Sequence, residues 1–321
     1  VHHGGPMYYI EKGLNAKWLA VIFAIIAGFA CFGIGNIAQA NEISGALTNL
    51  TGMSPLAIGI LLAIIVAIVI FLSCAVGATV GLGGGVIIKP ILDSMNFTTV
   101  DVVNFISSWA VFAMSISSII RHKIQKTKFD KKVALLTSLG AVAGGFIGNR
   151  LFKLLIDAIG SEKVVIFQAV MIILFVGFAV YYINKKNAKT FNVTNPAGIV
   201  LTGLVLGSLN SFLGIGGGPI NITVLFLMFS LVVKEGAVYS ICVVFFCQLS
   251  NLFTQFCTNQ FKPYKDYLMV VVFGIVAAVL GGLLGSTLNK KFSEKTVRLV
   301  FTSVMAVVFG INVYNIIRGI A

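Results

Sequence analysis

Charged residues are scarce in this sequence. Of its 321 residues, only 10% are Asp, Glu, Lys or Arg, whereas 58% are hydrophobic. A typical soluble domain carries about 25% charged residues. Apolar runs long enough to cross a hydrocarbon core of about 30 Å recur along the chain. The composition therefore argues against a soluble protein and predicts an all-α polytopic membrane protein.

Residue types that support catalysis or bind metals are also rare. Three histidines occur, and two belong to the opening "VHHGGPM", which is typical of an expression tag joined to Met7. We therefore expect residues 1–6 to be a tag remnant. The third, His122, lies in a basic loop, and the sequence has no intramembrane Ser–His pair, paired carboxylates or Cys/His metal spacing. We accordingly expect no enzyme, no cofactor and no metal site.

Acidic residues are the rarer of the charged types, with 10 against 23 Lys and Arg. A cation transporter would normally need carboxylates at membrane depth, but Asp93, Asp101, Asp157 and Glu235 all lie near predicted helix ends. The positive charge lies in short loops between apolar segments, which is typical of membrane topology rather than of nucleic-acid binding. The expected partners are the lipid bilayer and a small anion, with no nucleic acid.

Nine apolar stretches predict membrane helices, and two shorter apolar pieces, 86–95 and 219–233, follow glycine clusters. The nine stretches are 17–34, 56–80, 102–120, 133–151, 163–183, 197–214, 236–257, 268–288 and 297–317. The first of them, with the loop after it, forms an extra N-terminal region, residues 7–55.

Three loops, 121–132, 184–196 and 289–298, are rich in lysine and arginine, and positively charged loops face the cytoplasm. All three lie inside only if both glycine-broken regions turn back on themselves. Residues 56–95 then enter from outside and return there, and residues 197–233 do the same from the cytoplasm. We expect a multi-pass protein of the cytoplasmic membrane, with its N-terminus inside and its C-terminus outside.

The chain also repeats itself. "GLGGGVI" begins at residue 81 and "GIGGGPI" at residue 214, an offset of 133 that also pairs Ser107 with Ser240. Residues 56–183 and 197–321 are therefore interpreted as two repeats of opposite orientation, joined by a cytoplasmic linker, 184–196. Each repeat comprises a Gly-broken, re-entrant helix pair and three membrane helices.

Inverted repeats with broken helices are typical of secondary transporters, whose substrate site lies near the bilayer midplane. A short helix that begins just after a break aims unpaired N–H groups and the positive end of its dipole at that break. Two such N-termini meeting at mid-membrane would form an anion site built from backbone donors. Close packing of helices through glycine is the structural alternative, but two triplets at matched positions favour the site.

Two G-x-G-G-G blocks, one in each half of a repeated membrane domain, resemble the TauE/SafE sulfite-exporter family of secondary transporters. The resemblance covers residues 56–317. In the first block, "GLGGGVIIKPIL", Pro90 fits the pattern, whereas the second block has Thr223 at that place and Pro219 directly after the glycines. The family implies export or import of small sulfur-containing anions such as sulfite, thiosulfate or organosulfonates.

Lys89 lies about one turn into the first short helix, and an ionisable residue inside the membrane is a candidate for function. It would pair with the anion, with Asp93 at i+4, or with lipid headgroups. The full set of residues expected to bind the substrate is Gly83, Gly84, Gly85, Lys89, Ser115, Ser118, Asn210, Ser211, Gly216, Gly217, Gly218, Asn221, Gln248 and Asn251.

Ser115 and Ser118 join this set because their i, i+3 spacing places them on one helix face. The offset of 133 maps them onto Gln248 and Asn251. Polar pairs at equivalent positions favour a site lining, although interhelical hydrogen bonds are an alternative.

The sequence leaves several alternatives open. An anion channel, or a carrier for another small anion, would show the same pattern. The identity of the anion, the direction of transport and the coupling ion, a proton or sodium, also stay open. So does the oligomeric state, for which a homodimer is one alternative.

Overall fold

The computed structural model describes residues 54–95, 100–127, 129–185, 189–213, 217–257 and 268–320. The predicted tag remnant and the predicted helix 17–34 lie outside these residues. The described chain forms ten helices and no strand: α1 Pro55–Val80, α2 Gly85–Met95, α3 Val100–Ile124, α4 Lys131–Ile159, α5 Ser161–Asn184, α6 Pro196–Leu213, α7 Pro219–Phe229, α8 Val233–Cys257, α9 Leu268–Lys291 and α10 Glu294–Ile320.

Eight of these helices are long and apolar enough to cross a membrane by length and composition. The two others, α2 and α7, have 11 residues each, which at 1.5 Å per residue is about half of a 30 Å hydrocarbon core. The prediction of an all-α polytopic membrane protein is therefore confirmed. Many large apolar side chains, such as Leu72 and Leu284, are exposed, as expected of helices that face lipid.

The first glycine cluster ends α1 and reverses the chain. Gly81 adopts a left-handed conformation with φ of 76° and caps the helix, and Gly83 has φ of 63°. These angles favour glycine, which has no β-carbon to clash with the backbone. A β-carbon added at Gly84 would lie 2.9 Å from Cys74 Sγ, so α2 returns closely along α1. Residues 54–95 form a hairpin.

The second cluster has the same effect on α6 and α7. Gly217 has φ of 108°, and a proline occupies the first position of α7, where its missing N–H costs nothing. The residues before α6 hydrogen-bond to the last turn of α7, from Phe191 N to Leu227 O (2.8 Å) and from Val193 N to Met228 O (2.7 Å). The end of α7 therefore lies beside the start of α6, and this segment is a second hairpin.

Glycines also allow each hairpin to pack closely on a helix of the other half. A β-carbon at Gly140 or Gly144 of α4 would lie 2.8 Å from the backbone N of Leu204 or Ser208 in α6, respectively. One at Gly285 of α9 would lie 2.7 Å from the β-carbon of an α1 alanine. Small residues permit such approach of helix backbones inside membranes. The two close contacts, α4 with α6 and α9 with α1, are equivalent under the predicted repeat.

Three predicted cytoplasmic loops contribute to one end of the bundle. At this end Lys290 Nζ donates to Gln125 O (3.0 Å), and Lys234 Nζ donates to Phe292 O (2.7 Å). The side chain of Asn184, at the end of α5, donates to a threonine of α10 (3.4 Å). Helix α3 ends here, and α8, its counterpart in the second predicted repeat, begins here. These two helices therefore run in opposite directions. Two inverted copies would have this arrangement.

Candidate functional site

The two glycine breaks lie against each other. A β-carbon added at Gly217 of the second break would lie 3.4 Å from the carbonyl oxygen of Leu82 in the first break. The same position would overlap the side chain of Val244 in α8. Leu82 is itself fully buried. The two breaks therefore form one continuous region in the protein interior, the break junction. It comprises residues 81–85, Gly217, Gly218 and the α8 residues that contact them.

Helix α8 holds the first break in place. Ser240 Oγ donates to Gly81 O (2.5 Å), which pairs a carbonyl that the end of α1 leaves unpaired. A β-carbon at Gly81 would lie 2.7 Å from Ala237 Cβ, so only glycine fits there without displacement of α8. With Val244 two turns further on, α8 contacts both breaks.

Backbone donors are concentrated at the start of α2. Val86 N donates to Gly83 O (3.3 Å) and Ile87 N to Gly84 O (3.0 Å). Among the described residues, the N–H groups of Gly83, Gly84 and Gly85 make no backbone hydrogen bond. Because the first N–H groups of a helix have no partner within it, they are available to an anion.

Helix α7 contributes a second N-terminus at the junction. Gly218, in an extended conformation, precedes this helix and provides no side-chain cap. Asn221 N, in the first turn, donates to Gly218 O (3.0 Å). Both α2 and α7 thus begin at the junction, and the positive ends of their dipoles face it. Gly216, also predicted to bind substrate, lies outside the described residues.

Two asparagines predicted as site residues have buried side-chain atoms without hydrogen-bond partners among the described residues. The side chain of Asn221 has 0% exposure and that of Asn210 has 1%. Within the described part of the chain, neither Nδ2 nor Oδ1 of Asn221 has a hydrogen-bond partner, and Asn210 Nδ2 has none. Asn221 Nδ2 would lie 3.4 Å from a β-carbon at Gly217. Since buried polar groups are almost always paired, the amide of Asn221 marks the junction as a candidate binding site.

Lys89 is paired within the protein. Its Nζ lies 3.3 Å from Asp93 Oδ2, one turn further along α2, and donates to Asn104 Oδ1 (3.0 Å). The side chain is 2% exposed. Of the interactions that the sequence allowed for Lys89, the structure contains the one with Asp93. This ion pair leaves no net charge on α2 for a bound anion.

The serine pair predicted to line the site makes hydrogen bonds to backbone carbonyls. Ser115 Oγ donates to Phe112 O in its own helix (2.7 Å), and Ser118 Oγ donates to Gly282 O in α9 (3.3 Å). Both hydroxyls thus have partners in the protein. This outcome corresponds to the structural alternative of hydrogen bonds within and between helices.

The predicted polar residues of α6 and α8 form a short hydrogen-bonded chain. Ser211 Oγ donates to Asn251 Oδ1 (2.7 Å), and Asn251 Nδ2 donates to Gln248 Oε1 (2.9 Å). All three side chains are buried. They join the two helices, and the described contacts do not bring them to Gly217 or Leu82.

Sequence reasoning missed the role of α8 at the junction. Ser240 was paired with Ser107 by the offset of 133, and Ser107 Oγ is buried without a partner among the described residues. The repeat signal thus identified both serines, but only the packing connects Ser240 to Gly81. No group of three or more His, Cys, Asp or Glu that could hold a metal occurs within the described ranges.

A family model described as "Sulfite exporter TauE/SafE" matches residues 65–312 of this chain. A probable membrane transporter protein of Bacillus subtilis is 24% identical over 266 residues, which are 76% of this chain and 95% of the relative. A probable membrane transporter protein of Methanocaldococcus jannaschii is 26% identical over 258 residues, 77% of this chain and 94% of the relative. No solved structure matches the chain.

The N-terminal part of the chain resembles a different family. A model described as "Sodium:alanine symporter family" matches residues 1–80, a range that includes the opening "VHHGGPM". A sodium/alanine symporter of Methanococcus maripaludis is 48% identical over 71 residues, which are 21% of this chain. The chain spans only 16% of the length of that relative. The two family matches overlap at residues 65–80, within α1.

Proposed function

Because the chain belongs to the sulfite exporter TauE/SafE family, it is a membrane transporter, and we propose that it moves a small sulfur-containing anion across the cytoplasmic membrane as a secondary carrier. Sulfite, thiosulfate and organosulfonates are the proposed substrates. Relatives aligned along nearly their whole length carry transporter names, which points to transport rather than catalysis. The match to a sodium/alanine symporter covers too little of either protein to suggest amino-acid transport.

The substrate is proposed to bind at the break junction, near the bilayer midplane. The observation that carries this proposal is the contact between the two breaks: Gly217 faces Leu82, and the unpaired amide of Asn221 lies beside the same position. Because the glycines of the two breaks have no side chain, an anion can approach their backbone N–H groups closely. The junction also lies between the two hairpins, where inverted-repeat transporters bind their substrates.

Electrostatic attraction at this site is proposed to come from backbone dipoles rather than from a lysine. Lys89 is neutralised by Asp93, whereas α2 and α7 both direct their N-termini to the junction. Dipoles fixed by the fold need no reorganisation when the anion arrives. The proposed orientation keeps the basic loops in the cytoplasm, with the N-terminus inside and the C-terminus outside.

Counterflow in proteoliposomes tests the proposal. Liposomes containing the purified protein and unlabelled isethionate should take up radiolabelled isethionate in a saturable manner, and unlabelled sulfite should compete. Asn221→Leu should slow the uptake, because it removes the amide that lies beside the junction. Asn312→Leu, the matched control, should retain it, because Asn312 is buried in α10 and donates to Val308 O (2.8 Å) within its own helix.

Two outcomes would contradict this function. An ohmic, voltage-driven anion current without saturable counterflow would indicate a channel. Absence of any flux of sulfur-containing anions, in liposomes that contain folded protein, would show that the substrate class is wrong.

A further inference from the structure

The positive potential at the break junction is sufficient to balance one negative charge on a bound anion. Helices α6 and α7, α8 from residue 236 onward, and residues 81–85 contain no Asp, Glu, Lys or Arg. The ion pair of Lys89 with Asp93 contributes no net charge. The attraction for an anion therefore comes from two helix N-termini, and each is equivalent to roughly half an elementary charge. Two half charges balance a monoanion and leave the second charge of a dianion uncompensated in a buried site.

The hydrogen-bonding groups at the junction set a second condition. Among the described residues, neither Nδ2 nor Oδ1 of Asn221 has a hydrogen-bond partner, so this residue offers one donor and one acceptor at 0% exposure. The oxygens of an anion can accept from Asn221 Nδ2 and from the backbone N–H groups at the start of α2. They cannot pair with Asn221 Oδ1, because two acceptors repel and an acceptor left unpaired in a buried site is costly. The bound molecule must itself carry an N–H or O–H group to complete the pairing.

We infer that the site selects a monoanion with its own hydrogen-bond donor, such as hydrogen sulfite or a hydroxyalkanesulfonate, over dianions and over monoanions without a donor. This inference rests on the proposed function and narrows its substrate class. For sulfite itself, the bound species is the protonated monoanion. Its binding should therefore weaken as the pH rises and the dianion replaces it.

Three sulfonates built on the same two-carbon chain separate charge from hydrogen bonding. Isethionate (2-hydroxyethanesulfonate) is a monoanion with a donor, ethanesulfonate is a monoanion without one, and 1,2-ethanedisulfonate is a dianion without one. Titration calorimetry on the purified protein should show isethionate binding about tenfold more tightly than ethanesulfonate, the size of one typical hydrogen bond. Ethanedisulfonate should bind more weakly than either monoanion.

Variants of Asn221 assign the preference to this residue. In Asn221→Leu the preference for isethionate over ethanesulfonate should fall to about one, because the unpaired acceptor is gone. Asn221→Ala provides the same test with a smaller side chain if the leucine variant does not fold. Asn312→Leu should keep the tenfold ratio, since its amide is paired within α10.

The outcomes distinguish this inference from the function on which it rests. Equal affinity of the wild type for isethionate and ethanesulfonate would overturn the donor requirement and leave anion transport intact. Tighter binding of ethanedisulfonate would overturn the charge argument. A tenfold ratio that persists in both Asn221 variants would exclude Asn221 as the acceptor. If folded wild-type protein binds none of the three and shows no counterflow of sulfur-containing anions, the proposed function fails, and the inference with it.

Discussion

Gly217 is the residue of the second break at which substitution should have the clearest effect. Its φ of 108° lies in a region that favours glycine. A β-carbon there would overlap Val244 Cγ2 and approach Leu82 O and Asn221 Nδ2 to 3.4 Å each. Gly217→Ala therefore strains the backbone and also places a methyl group between the two breaks, where the anion is proposed to bind.

The cost has two separable parts. A left-handed conformation costs a non-glycine residue about 1–2 kcal/mol, and overpacking of a tight interior typically costs about 1–3 kcal/mol. Gly217→Ala should thus lower the free energy of unfolding by about 2–5 kcal/mol. A second change, Val244→Ala, removes the overlapping methyl groups. The double variant should regain the packing part relative to Gly217→Ala and keep the backbone part.

Unfolding measured by denaturant titration in detergent, together with isethionate counterflow, checks this prediction. Gly310→Ala is the matched control, because a β-carbon there has nothing within 4 Å, and this glycine lies inside a long helix. The control should be neutral or stabilised by up to about 1 kcal/mol. Counterflow should be lost in Gly217→Ala, and Gly84→Leu and Gly217→Leu should abolish transport while the protein still inserts.

The reasoning would be refuted by a Gly217→Ala variant with wild-type stability and wild-type flux. In that case the close contact between the breaks would not exist in the functional protein. Recovery of full stability by Val244→Ala would show that the backbone at Gly217 is unstrained.

Orientation, the ion pair and the N-terminal region each give a further prediction. In a variant without other cysteines, a cysteine at Lys126 should resist an impermeant maleimide in intact cells, because its loop is predicted to be cytoplasmic; rapid labelling would reverse the topology. Lys89→Met and Asp93→Leu should each cost about 3–5 kcal/mol by leaving a buried charge unpaired. The double substitution should lower the free energy of unfolding by much less than the sum of the two single losses. Losses that simply add would argue against the ion pair. Removal of residues 1–53 should preserve counterflow, since the family match covers residues 65–312; lost flux in a well-inserted protein would contradict this.

The sequence predicted the two helix breaks, because glycine triplets inside long apolar runs have a strong local effect. The short helix predicted at 86–95 is observed at Gly85–Met95. The piece predicted at 219–233 ends earlier, at Phe229, because Ser230 adopts a left-handed conformation with φ of 58° and caps α7. Local rules can find a run of apolar residues, but they do not show which polar residue will end it.

The side chains at the site could not be assigned from sequence, because their partners lie far along the chain. Ser118 bonds to Gly282, and Ser240 bonds to Gly81. The i+4 spacing of Lys89 and Asp93 allowed their ion pair, but nothing local distinguished it from contact with an anion. Only the packing of α2 against α3 adds Asn104 as the third partner.

The most direct test of the central claim is to locate a bound anion. Hydrogen selenite is a protonated monoanion, and its selenium gives anomalous scattering that marks its position in crystals of the protein with ordinary methionine. The account predicts an anomalous peak at the break junction, between Leu82 and Gly217 and within hydrogen-bond reach of Asn221. Selenium found only at the basic loops, in protein that carries out selenite-inhibited counterflow, would contradict it.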